Sequence, residues 1–88
     1  MNKEKLLKFP CEFPIKIMGT NAPNLIAEIT EIVSKYYPQL NPKKDIATKH
    51  SSKSNYISVT VTIFATSQKQ LDDIYNSLNK HKLVKLTL

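Results

Sequence analysis

The chain has 88 residues, a formal net charge of +6, one cysteine and one glycine. That length bounds it to one domain spanning residues 1–88, without room for a linker and a second core, and makes a large active-site cavity unexpected. A lone cysteine excludes an internal disulfide, no Cys and His cluster has metal-ligand spacing, and no apolar run approaches the roughly 20 residues that span a bilayer, so a cytoplasmic protein without cofactor, metal or membrane contact is expected.

Residues 1–8 are charged, lack the apolar stretch of a signal peptide and are expected to be weakly ordered. In the first strand Phe13, Ile15 and Ile17 alternate with Glu12, Pro14, Lys16 and Met18, which gives it one apolar face before Gly19 ends it. Pro14 cannot donate to a ladder, so an irregular start or a bulge is expected there.

Thr20 or Asn21 can cap the next element, Pro23 suits a first helical turn, and Leu25, Ile26, Ile29, Ile32, Val33 and Tyr36 recur at helical spacing. Pro38 stops this first helix. Residues 41–44 form a polar connection, and a second strand follows in which Ile46, Thr48 and His50 alternate with Ala47, Lys49 and Ser51. Its lysines mark a sheet edge, because charged side chains discourage another chain from pairing with the open amide row. Residues 51–55 read as a hairpin turn in which Asn55 can accept a left-handed backbone.

Residues 56–65 are the clearest strand: Ile57, Val59, Val61, Ile63 and Ala65 face one way, and Tyr56, Ser58, Thr60, Thr62 and Phe64 the other. Ser67 and Gln70 make a capping-box pattern, and Leu71, Ile74, Tyr75 and Leu78 give the second helix, ending near Asn79, a narrow apolar stripe. In residues 83–88, Val84, Leu86 and Leu88 alternate with Lys85 and Thr87. The order βαββαβ predicts an α+β, ferredoxin-like split βαβ sandwich, with two helices on one face of a four-stranded antiparallel sheet. Its core is expected to hold Ile15, Ile17, Leu25, Ile29, Val33, Val59, Val61, Ile63, Leu71, Ile74, Leu78, Val84 and Leu86.

Phe9-Pro10, Lys16-Ile17-Met18-Gly19, the run Ser51-Ser52-Lys53-Ser54-Asn55-Tyr56 and the alternating strand after it resemble the YbeD-like family of small bacterial proteins of unknown function. Ser54 stands where that family usually carries glycine, and Pro14 departs from the usual strand residue. The resemblance implies a fold similar to ACT regulatory domains, which bind small effectors near the first strand-to-helix loop, often across a subunit interface. It implies no established activity.

No nucleophile, base and orienting acid share a recognised spacing, so no catalytic residue is assigned and an enzyme is not expected. Cys11 reads as a packing residue, Asp72 and Asp73 as solvated, His50 and His81 as surface side chains. The loop containing Gly19, Thr20, Asn21, Ala22 and Asn24 is the ligand-binding candidate, because amides at a helix start can hold a carboxylate, although ordinary capping would also occupy them. Lys16, Lys53, Asn55, Tyr56 and Lys85 are the candidate surface for a protein partner. Lys16, Met18, Ser58, Thr60, Thr62 and Lys85 are expected on the open sheet face.

All 13 basic residues are lysine. Clustered cations attract polyanions, but arginine's planar fork is the better tool for bidentate contacts to phosphate and guanine. The expected function is a non-enzymatic regulatory or adaptor domain acting through a protein partner or small effector, as a monomer or weak homodimer, with weak nucleic-acid binding as the alternative.

Overall fold

The structure is a computed structural model that describes residues 8–50 and 55–88. Its elements run β1 (Cys11–Thr20), α1 (Leu25–Tyr36), α2 (Pro42–Asp45), β2 (Ile46–His50), β3 (Tyr56–Ala65), α3 (Gln68–Lys80) and β4 (Val84–Thr87). The strands form one four-stranded sheet in the order β2-β3-β1-β4, with every neighbouring pair antiparallel. The two long helices lie on one face, where Leu25, Ile29 and Val33 of α1 and Leu71, Ile74 and Leu78 of α3 join a single core with the inward residues of β1 and β3. This is the ferredoxin-like arrangement that the alternation of strand and helix periods dictates. The short α2 replaces the expected polar connection: the Asn41 side chain accepts from the Lys43 amide at 3.2 Å, while Asp45 Oδ2 accepts from the Asn41 amide at 2.9 Å.

Val59 and Val61 are fully buried, and Ile57 and Ala65 complete the core on the same face of β3. Leu86 does not belong to it. The ladder between β1 and β4 pairs Ile17 with Thr87 and Met18 with Leu86, then shifts so that Gly19 meets Val84. Lys85 is the extra residue of a β-bulge, and its insertion breaks the alternation of residues 83–88. Val84 thereby packs beneath the helices, Leu86 turns to the opposite face with 48% of its surface exposed, and Thr87 faces α3, donating to Asn79 Oδ1 at 3.0 Å.

Pro14 produces no irregularity in its own ladder. β1 pairs with β3 without a shift from Cys11 opposite Ala65 to Thr20 opposite Tyr56. The Lys16 carbonyl accepts from the Leu88 amide on the β4 side at 2.8 Å. Polar groups two residues apart in a strand point the same way, so the Pro14 nitrogen also points to that side, beyond the last β4 residue, where no donor is required.

The second helix opens as its sequence specifies. Ser67 Oγ accepts from the Gln70 amide at 3.1 Å, and the Gln70 side chain reaches back to the Thr66 amide at 2.8 Å. Gln70 Nε2 also donates to the Tyr36 carbonyl at 2.9 Å, which ties the end of α1 to the start of α3.

Candidate functional site

The loop after β1 is held by the backbone of its neighbours. Thr20 donates its amide to the Leu83 carbonyl (2.8 Å), Asn21 to the Asn55 carbonyl (2.7 Å) and Ala22 to the Thr20 carbonyl (2.7 Å). The helix cap is Asn24, in place of the expected Thr20 or Asn21, and its side chain makes no capping bond. Pro23 lies before the cap, and the chain enters α1 through a turn closed by the Leu25 amide on the Ala22 carbonyl at 3.1 Å. Gly19 is buried with no positive φ. Its lack of a side chain supplies space: a Cβ there would stand 2.9 Å from both Leu25 methyl carbons and 3.0 Å from the Leu83 carbonyl oxygen.

Of the partner-surface candidates, the Asn55 carbonyl already holds Asn21, and Tyr56 pairs with Thr20, so both stand beside this loop. Lys16 lies farther along β1 on the open face. Lys85 is exposed at the bulge and is not among the side chains that line the trough described below. Lys53 lies outside the described residues, as do residues 1–7 and most of the expected hairpin turn.

The open face carries a trough of about 430 Å³. Register builds it from two rungs. One runs Lys49, Ser58, Met18, Leu86 across β2, β3, β1 and β4; the other runs Ala47, Thr60, Lys16 and, through the amide bonded to Lys16, Leu88. A polar diagonal of Lys49, Ser58, Thr60 and Lys16 therefore crosses the middle of the sheet. Met18, Leu86 and Leu88 form an apolar corner at the β4 side and are 40%, 48% and 75% exposed. The sequence points to Lys16, Met18, Ser58 and Thr60 here, but not to Leu86 and Leu88, which the bulge turns outward, or to Lys49, which reads simply as an edge lysine.

Several titratable groups elsewhere are held in pairs. His81 Nε2 lies 3.1 Å from Glu28 Oε1, while its Nδ1 accepts from the Leu83 amide at 3.1 Å, so hydrogen-bond geometry assigns the Nε2–H tautomer and ties α1 to the turn before β4. Gln68 donates to Asp72 at 3.0 Å and Lys69 pairs with Asp73 at 3.1 Å, each one helical turn away. Tyr75 donates its hydroxyl to the Leu88 carbonyl at 2.8 Å, and burial raises its pKa above the ordinary 10.0. Cys11 is half-buried and free. Among the described residues no group of three or more His, Cys, Asp or Glu could hold a metal ion, and no helix is long and apolar enough to cross a membrane.

Two helices packed on one side of a β2-β3-β1-β4 antiparallel sheet define a ferredoxin-like α+β domain. Residues 4–88 match the model of a family described as a protein of unknown function, DUF493, and the chain belongs to that family. It is 44% identical over 85 residues to a UPF0250 protein of Paraburkholderia phytofirmans, covering 97% of this chain and 94% of the relative. A UPF0250 protein of Chromobacterium violaceum is 43% identical over 86 residues, covering 98% of this chain and 96% of its own. The solution structure of protein HP0495 from H. pylori superposes with a TM-score of 0.70 at 18% identity, over 93% of this chain and 85% of that one, a likeness of fold.

Proposed function

We propose that the chain is a small non-enzymatic regulatory or adaptor domain that acts in the cytoplasm by holding a protein partner or a small effector, in the manner of the ACT domains its fold resembles. The observation that carries this reading is the trough on the open sheet face, where apolar side chains and two lysines stand together in solvent. The engagement of His81, Asp72 and Asp73 in structural pairs supports a binding role over a catalytic one. The loop of residues 19–24 is the less favoured place for an anion, because the Thr20, Asn21 and Ala22 amides already donate to protein carbonyls.

Nucleic acid fits this face less well than a protein. Bases on an RNA-binding sheet stack on central rings, whereas Tyr56 and Phe64 sit near opposite ends of β3, about 27 Å apart at the rise of an extended strand.

Amide NMR of the labelled chain, titrated separately with the low-molecular-mass, protein and nucleic-acid fractions of a bacterial extract, tests the reading. Localised shifts from the small-molecule or protein fraction are expected. Shifts from the nucleic-acid fraction alone, or from none, would remove it.

A further inference from the structure

We propose that the trough on the open sheet face seats an amphipathic helix of a protein partner, with apolar anchors along one side and carboxylates beside them. The proposal rests on the binding reading above and names the occupant. The first argument is charge. Among the described residues Lys16 and Lys49 line the trough and no Asp or Glu side chain does, in a chain of net charge +6. Their backbone positions are two strands and one two-residue step apart, about 12 Å, so one acidic side chain over Ser58 and Thr60 lies between both flexible stems. An acidic partner is steered to such a surface and held in register by it.

The second argument is shape. From β2 to β4 the sheet spans three inter-strand spacings, about 14 Å, which accommodates a helix about 10 Å across. Met18, Leu86 and Leu88 provide the apolar contact for anchors spaced three and four residues apart. A small carboxylate would satisfy the lysines but leave this wall wet, and a phosphate backbone has no counterpart for it. One face of the sheet is already covered by α1 and α3, and a partner helix on the other would bury the exposed corner in a third layer.

The full chain is prepared with a benzophenone amino acid at position 60 in the trough, at position 21 in the loop, or at position 31 on the outer side of α1, and irradiated in bacterial cells. Mass spectrometry identifies each cross-linked segment, which is then synthesised and titrated against the labelled protein with its carboxylates intact or replaced by lysine. Position 60 is expected to capture an acidic amphipathic segment that position 31 does not. The charge-reversed peptide, and separately the Lys16→Glu, Lys49→Glu double variant with its amide spectrum otherwise unchanged, should each bind at least tenfold more weakly. Capture of nucleic acid or of a neutral or basic segment at position 60, or hexanoate shifting the same amides as tightly as the peptide, would overturn the proposal. Cross-links from position 21 alone would overturn this surface while leaving the binding reading intact; no specific cross-link from any position would overturn the proposal, and the binding reading falls with it only if the small-molecule fraction also shifts no amides.

Discussion

Gly19 and Leu25 are packed so closely that a single methyl group on Gly19 would lie 2.9 Å from both Leu25 methyl carbons. Leu25 is fully buried and begins α1, so this contact fixes how tightly the helix returns onto the strand that precedes it. The backbone at Gly19 is ordinary, and the restriction is volume.

Gly19→Ala is therefore expected to destabilise by about 1–3 kcal/mol, the usual cost of overpacking a filled core. Urea denaturation measures it, and a change below a few tenths of a kcal/mol would show that Leu25 can move aside.

The Ser67 and Gln70 pair joins two helices as well as opening one. Ser67→Ala is expected to cost about 1 kcal/mol as a lost cap. Gln70→Ala should cost about 1–2 kcal/mol, because the Thr66 amide and the Tyr36 carbonyl both lose a partner. The double variant should cost less than the sum, since the residues share one network.

Tyr75 gives the fold an alkaline limit. Its pKa is raised in the folded state by burial, so the native protein holds the phenolic proton more firmly than the unfolded chain. That stability is complete below the ordinary value of 10.0 and is lost as pH rises through the folded value. Melting temperature should fall above about pH 10 through this group. Tyr75→Phe should lose about 0.5–1 kcal/mol at neutral pH with the hydrogen bond to Leu88, and should show a shallower alkaline decline.

The bulge at Lys85 makes opposite demands of two apolar neighbours. Val84→Ala removes buried methyl groups and is expected to cost about 1.5–2.5 kcal/mol, whereas Leu86→Ser should change stability by less than about 0.5 kcal/mol. Equal losses in thermal unfolding would mean that Leu86 shares the core.

Most of the fold was legible because it rests on local periods. The alternation from Ile57 to Ala65, the stripe of Leu25, Ile29 and Val33, and the Ser67 cap each report on neighbours a few residues away. Leu86 was not legible, since Lys85 is compatible with either phase and only the pairing with β1 reveals the bulge. Pro14 was misread for a related reason: its tolerance depends on where β4 stops. The approach of Glu28 to His81 joins residues far apart in the chain, which no local pattern encodes. Half of the trough was visible as the polar face of β1 and β3, but its apolar corner waits on the bulge.

The central claim is that binding occurs on the open sheet face. Isothermal titration of the segment captured at position 60, against the wild-type chain, the Lys16→Glu, Lys49→Glu double variant and Asn21→Asp, tests it most directly. The account requires at least a tenfold loss for the double variant and less than a twofold change for Asn21→Asp; a large loss confined to Asn21→Asp would contradict it.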